Sequence, residues 1–446
     1  MSWTKVSDRR WERPVDGLEG YFVVMANITA DLCSGKEHYT LFSKIELELT
    51  HSDAPAALKR AWEQIRYEQP QIATTVEGMK KVYEVPDAKA LEDWLAATFI
   101  VSPASDAEEL YQSVEPIKQA TLYYLPKSSE LVFRGHHHTV DGMGIMLFWH
   151  NYLEALQNPA TDIKFGDEPA RLAPAMEKVL GYSEQPTQEL SDKATALFMS
   201  WAGSIPGIGP VSQLGAAASG NCHNTELVFP MDVTAALVTA CKNKGVSVSA
   251  AVHAAYIKAI EKYADPNSKL SEYVTATQFN LRPYLPAPYN SSKYAASVYY
   301  TPLPYKINLP TTYWDLVRSL TEYYATSVKG HPELLELKGH FVRVLCGAVQ
   351  TPEFLANPVP KDALVSSLGV AERHLQREYG NAIKVKDLKF GVDVVMGMSM
   401  FFFYTFQDQL RLVYSFNDGF EKPEDIQKYL EEIKAILGQE LLVGAH

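Results

Sequence analysis

Apolar residues recur along this chain with two different periods. Residues 56–68 carry Leu58, Ala61, Trp62 and Ile65 at helical spacing, and residues 141–156 repeat the pattern with Ile145, Phe148, Trp149 and Leu153 on one face. Val23, Ile28, Phe42 and Ile45 lie in two runs rich in Val, Ile, Phe and Tyr, which predict strands. Residues 122–125 and 130–136 predict two more strands, joined by the turn Pro126-Lys127-Ser128-Ser129. Strand, short polar turn and helix is therefore the local reading around residues 136–142.

The pattern weakens over residues 181–224, where Gly203, Pro206, Gly207, Gly209, Pro210, Gly215 and Gly220 interrupt any regular element. This stretch reads as a crossover between two halves of similar size: an N-terminal half over 1–185, a linker over 186–224 and a C-terminal half over 225–446. The second half restarts with a strand at 226–229 and a helix at 232–244. An Ala-rich helix follows, capped by Ser247 or Ser249 and running through Ala250, Ala251, Ala254, Ala255 and Ile260. A strand at 273–279 leads into the loop Asn280-Leu281-Arg282-Pro283-Tyr284-Leu285-Pro286. Residues 313–329 predict a helix, 396–406 and 410–416 a hairpin, and 424–437 a closing amphipathic helix. Strands and helices without strict alternation favour an α/β class of the mixed α+β sandwich kind over a doubly wound sheet.

Composition narrows the function classes. The 446 residues are 46% hydrophobic and 21% charged, enough to bury a large core, and a net charge of −12 disfavours nucleic acid or an anionic membrane as general partner. Cys33, Cys222, Cys241 and Cys346 are scattered, so neither a disulfide framework nor a C-x-x-C metal site is expected. The charged N-terminus lacks an apolar signal core, and no run reaches the roughly 20 apolar residues a membrane-spanning helix needs. The expectation is a soluble, cytoplasmic protein without membrane insertion.

The sharpest local feature is His136-His137-His138-Thr139-Val140-Asp141-Gly142. Three histidines invite a metal reading, but side chains alternate along a strand, so His136 and His138 diverge from His137, and no partner cluster supplies further ligands. The bland reading is polar filling at a strand end, with Asp141 as a helix N-cap. The third reading is a general base. A neutral imidazole at position 137 suits taking a proton from a hydroxyl at cellular pH, and Gly142 and Gly144 let a helix start close to a ligand. Asp141 need not relay a proton, because a carboxylate in a tight turn can pair with an arginine and fix the loop. Arg282 is the candidate for a bidentate partner; its alternative is a solvated loop arginine, and spacing alone does not choose. No G-x-S-x-G elbow, P-loop or dinucleotide fingerprint is present, and no cysteine sits in an activating motif.

The string His136-His137-x-x-x-Asp141-Gly142 after a strand resembles the HHxxxDG signature of the CoA-dependent acyltransferase superfamily. That group includes chloramphenicol acetyltransferase, plant BAHD acyltransferases, fungal trichothecene acetyltransferases and peptide-synthetase condensation domains. Asn280-Leu281-Arg282-Pro283-Tyr284-Leu285-Pro286 is similar to its Arg-bearing loop, Val365-Ser366-Ser367-Leu368-Gly369 to its S-[NS]-L-G strand, and residues 410–417 to its closing strand. The stand-alone fungal enzymes of the trichothecene 15-O-acetyltransferase group look nearest, through Trp11-Glu12-Arg13-Pro14 and Gly17-Leu18-Glu19. The Asp-Phe-Gly-Trp-Gly motif of BAHD enzymes is missing; Phe390-Gly391-Val392-Asp393 holds a fragment of it without the Trp. No carrier domain adjoins, so a peptide-synthetase module is not expected.

The resemblance implies two similar chloramphenicol-acetyltransferase-like halves with a channel between them, working as a monomer. It implies an acyl-CoA, in this group acetyl-CoA, as co-substrate, and a small-molecule alcohol as acceptor. No metal and no permanently bound cofactor are expected. His137 would be the base, Asp141 its partner in the catalytic motif, and His136, Gly142 and Arg282 structural support. Ser366, Ser367, Ser399 and Tyr404 are candidate donors to the oxyanion. The alternative that the resemblance allows is a condensation-like enzyme, taking its donor from a carrier protein or catalysing a non-acyl cyclisation.

Overall fold

The computed structural model describes residues 2–32, 36–113, 115–183, 185–267, 271–328, 332–356 and 362–443. The chain divides into two compact units. The first contains Met1–Glu184, Asn280–Tyr300 and Ala371–Phe390; the second contains Gln185–Phe279, Thr301–Val370 and Gly391–His446. The units therefore interleave in sequence, unlike the contiguous halves read from composition. The physical reason is visible in the first unit, whose sheet takes two strands, and whose buried aspartate takes its cation, from later in the chain.

The first unit is built on a six-stranded sheet in the order Glu378–Tyr379, Ile383–Val392, Thr40–Leu49, Glu130–His136, Thr121–Leu125, Phe99–Val101. Thr40–Leu49 runs antiparallel to Glu130–His136, with Ile45 opposite Leu131 and Thr40 opposite His136. Helices Ala54–Glu68 and Gly142–Gln157 pack on each other. The second is anchored by Trp149, whose indole N–H donates to Ser43 Oγ at 3.0 Å, and by Tyr152, whose hydroxyl donates to the Leu58 carbonyl at 2.9 Å. A smaller sheet pairs Thr4–Lys5, Arg10–Pro14, Lys80–Glu84 and Thr75–Glu77 in that order.

The second unit holds a sheet in the order Ala363–Val370, Ser399–Phe406, Gln409–Asn417, Cys222–Val228. Its hairpin turns at Gln407 and Asp408, both with positive φ (50° and 60°), as a tight two-residue turn requires. Ser247 caps helix Val248–Lys262 by accepting from the Ala250 N–H at 3.0 Å. The small side chains Ala251, Ala254, Ala255 and Ala259 are fully buried, so helices Tyr313–Thr326 and Pro423–Leu437 approach closely over a core with Phe401, Leu412 and Tyr414.

Several expectations are corrected. Val23 and Ile28 belong to helix Gly17–Leu32, while Phe42 and Ile45 are in the strand Thr40–Leu49. That helix buries Leu18, Phe22, Val23, Met25 and Thr29, so its apolar positions crowd together and mimic a strand. The segment 181–224 contains helix Gln188–Ala202, capped by Thr187 and burying Ala194, Phe198 and Trp201 at i, i+4 and i+7; the glycines that interrupt the pattern all follow it. Helix Tyr313–Thr326 ends short of Lys329, which lies outside the described residues, as does Cys33. Cys222, Cys241 and Cys346 are buried, and among the described residues they form no disulfide. Among the described residues no helix is long and apolar enough to cross a membrane.

Candidate active site

Strand Glu130–His136 ends where the chain turns. The N–H groups of Thr139 and Val140 both donate back to the His136 carbonyl, at 2.9 and 3.3 Å, and the helix Gly142–Gln157 begins directly afterwards. Asp141 is its N-cap and accepts from the Gly144 N–H at 2.6 Å. His137 sits on this turn.

Asp141 is fully buried, and its acceptor sites are all taken. Arg282 Nη1 donates to both Oδ1 and Oδ2 at 2.8 Å, the Gly144 N–H fills Oδ1, and the Tyr299 N–H reaches Oδ2 at 2.7 Å. A carboxylate offers about four lone-pair sites, so Asp141 has none left for His137. The pair is not the expected two-nitrogen fork: Arg282 spends Nη1 on the carboxylate and Nη2 on Ser297 Oγ (3.0 Å) and the Ser297 and Ala295 carbonyls (3.3 and 3.4 Å). One guanidinium thus ties the start of helix Gly142–Gln157 to the loop 295–299.

Gly144 explains itself in this setting. A Cβ there would lie 2.3 Å from the Ala295 carbonyl oxygen and 3.1 Å from Arg282 Nη2. The close approach is to the arginine loop. Gly144→Ala is expected to destabilise the protein by about 1–3 kcal/mol through overpacking, seen as a lower urea midpoint; an unchanged midpoint would show that the loop yields freely. Gly142 is the half-buried first residue of the helix.

The His137 ring lies flat on Phe22, with centroids 4.1 Å apart and planes at 6°. Tyr39 meets it edge-on at 6.2 Å and Tyr300 lies 5.5 Å away. Tyr39 itself has φ 68°, a left-handed conformation uncommon outside glycine. The imidazole is half-buried, and its Nδ1 is buried with no hydrogen-bond partner of good geometry. Burial pushes its pKa down to about 4, against weaker opposing pulls from its own backbone and from the Asp141 charge. The ring is therefore neutral near pH 7 and can accept a proton.

The other two histidines do different work. Their rings stack on each other at 4.9 Å, His136 Nδ1 lies 2.8 Å from Glu37 Oε2, and His138 Nδ1 is 3.1 Å from Thr139 Oγ1. Burial holds His138 well below the usual histidine range, with His136 and Lys81 adding to the effect. Among the described residues no three His, Cys, Asp or Glu side chains gather as a metal site.

Ser366, Ser367, Ser399 and Tyr404 all belong to the second unit. Ser366 is buried there; Ser367 Oγ shares a hydrogen bond with Ser249 Oγ at 2.7 Å. Ser399 donates to Glu421, and the Tyr404 hydroxyl to Glu226 Oε1 at 3.4 Å. Sequence reasoning missed Phe22, Tyr39 and Tyr300, because an aromatic residue beside an apolar run reads as ordinary core.

No family model matches the chain. It is 27% identical over 451 residues to the O-acetyltransferase pigM of Monascus ruber, covering 99% of this chain and 88% of that one. The TRI3 trichothecene 15-O-acetyltransferase from Fusarium sporotrichioides superposes with a TM-score of 0.81 at 17% identity, covering 98% of this chain and 97% of that one. The first condensation domain of the CDA synthetase gives a TM-score of 0.68 at 15% identity, over 98% of this chain and 97% of that one. The chain has the mixed α/β fold that these acetyltransferase and condensation-domain structures share.

Proposed function

We propose that this chain, whose fold is that of the CoA-dependent acyltransferase superfamily, moves an acetyl group from free acetyl-CoA to a hydroxyl of a hydrophobic secondary metabolite. The observation that carries the reading is the neutral imidazole of His137, set among aromatic rings on a turn that Arg282 and Asp141 hold. The whole-length similarity to a fungal O-acetyltransferase supports the acyl group and the kind of acceptor.

In this mechanism His137 takes the proton of the acceptor hydroxyl as the oxygen attacks the thioester carbonyl carbon. The tetrahedral oxyanion collapses by breaking the C–S bond. The departing CoA thiolate recovers the proton from the imidazolium, leaving an ester and free CoA. No acyl-enzyme forms, and much of the rate comes from holding two substrates at one base. Asp141 acts by fixing the turn and by its negative charge, which favours the imidazolium as it forms.

The test is transfer itself. Purified protein is incubated with acetyl-CoA and a panel of polyketide and terpenoid alcohols, and released thiol and ester mass are followed. Thiol release matched by ester formation is the expected result. The condensation-domain likeness supports a second reading with a carrier-bound donor. Transfer from a phosphopantetheinyl carrier alone, with no binding of acetyl-CoA by calorimetry, would replace the first reading by the second.

A further inference from the structure

We propose that Lys81, held by Glu19, which Arg13 grips in turn, is a positioning residue: a second clamp on the turn that carries His137. The inference rests on the acyl-transfer reading for its role and on the geometry of the first unit for its existence.

Strand Lys80–Glu84 places neighbouring side chains on opposite faces. Lys80 points to solvent, while Lys81 is buried, with a side chain only 4% exposed. Its Nζ lies 2.8 Å from Glu19 Oε1 and donates to the backbone carbonyl of His138, the residue next to the candidate base. Arg13 grips the same carboxylate through two nitrogens, each at 2.7 Å. Burial pulls the Glu19 carboxyl up, yet Arg13 and Lys81 overcome it and hold the group well below the usual range. Glu19 is thus a fixed negative charge that keeps the ammonium in place.

Burying an ammonium is unfavourable by several kcal/mol, and a trio of apolar side chains would fill the space without that penalty. Arg13 also donates to the Pro14 carbonyl at 3.0 Å and Glu19 accepts from the Asp16 N–H at 3.2 Å, both close by in sequence, whereas the bond from Lys81 crosses to the His137 turn. That turn is held at both ends: Arg282 fixes Asp141, and Lys81 fixes His138. The two clamps also share a void. A cavity of about 10 Å³ is lined by Arg13, Glu19 and Lys81 from one clamp and by Ser297, the Arg282 partner, from the other. It has room for about one water. A displacement near 1 Å at a reacting group lowers rates by about 100-fold, so this anchoring is felt in kcat rather than in binding.

The experiment compares Lys81→Met, Lys81→Gln and the exposed control Lys80→Met. Two quantities are read: steady-state transfer, and the rate at which diethyl pyrocarbonate modifies residue 137, followed by peptide mass. Lys81→Met should lower kcat about 30-fold, KM for both substrates staying within about twofold, and should speed modification of His137 several-fold. Lys81→Gln keeps a donor for the His138 carbonyl and should lose only about fivefold. Lys80→Met should match wild type. Lys81→Met with wild-type kcat and wild-type modification rate, whatever its melting point, overturns the clamp, and so does Lys81→Gln no better than Lys81→Met. If Lys81→Met does not fold, Lys81→Gln is read alone: slowed transfer and faster modification support the clamp, and wild-type values overturn it. If wild type transfers no acyl group, the parent reading fails and the modification rate by itself decides the clamp.

Discussion

His137→Ala should remove transfer almost entirely, lowering kcat/KM by about 10²–10⁴-fold, the usual contribution of a positioned base, while the protein remains folded. The separation of the two effects follows from the site. The imidazole makes no hydrogen bond that holds other elements together; its Nδ1 has no partner, and its packing is against Phe22, Tyr39 and Tyr300. The turn is instead held through Asp141, Arg282 and Lys81, which the substitution leaves in place. The same base sets the pH profile. Burial lowers its pKa to about 4, so the active, neutral form persists as pH falls well past the ordinary histidine range and is lost only near 4. An unperturbed histidine, with a pKa near 6.5, would be only about one-tenth neutral at pH 5.5. Wild-type kcat/KM should accordingly be nearly flat from about pH 8 to 5.5. A fall centred near 6.5, or an alanine variant with wild-type turnover, would each remove His137 from the role of base.

How far the site could be read in advance depends on how local each part is. The turn from His136 to Gly142 is legible because strand, cap and helix start lie within a few residues, and the N-cap role of Asp141 follows from residue type and place alone. The pairing of Asp141 with Arg282 spans 141 residues. Residue type makes Arg282 a candidate cation, but spacing does not choose between that role and a solvated loop arginine. The aromatic setting of His137 was not legible. Phe22 lies on a helix whose buried positions read as a strand, and Tyr39 and Tyr300 carry no pattern that separates them from core. The Lys81 network is equally silent in sequence, since a lysine next to Lys80 in a short strand looks solvated. The interleaving of the two units was hidden for the same reason: nothing in 280–300 or 371–390 marks which sheet or which carboxylate they serve.

The largest effect on stability is expected at Arg282. Arg282 is 3% exposed, and its guanidinium satisfies the carboxylate of Asp141, a residue 2% exposed, together with Ser297 and Ala295. Arg282→Ala strips these contacts and leaves Asp141 as a buried charge with only two backbone N–H donors. Breaking a buried pair from one side destabilises by about 3–5 kcal/mol, which corresponds to a melting point lower by roughly 10 °C. Arg282→Lys should recover only part of this, because one ammonium cannot reach both Asp141 and Ser297 in the geometry of a planar fork. The decisive comparison is a double-mutant cycle with Asp141→Asn. If the loss in Arg282→Ala comes from the stranded charge, adding Asp141→Asn removes that charge and should restore part of the stability instead of lowering it further, the remainder staying lost because the amide nitrogen faces one of the two backbone N–H donors. Thermal unfolding of the four proteins reads the coupling directly. Additive losses would mean that Arg282 holds the loop 295–299 and Asp141 holds the helix independently. The His137 turn would then have no single keystone, and its rigidity would rest on the carbonyl bond from Lys81 and the cap at Gly144.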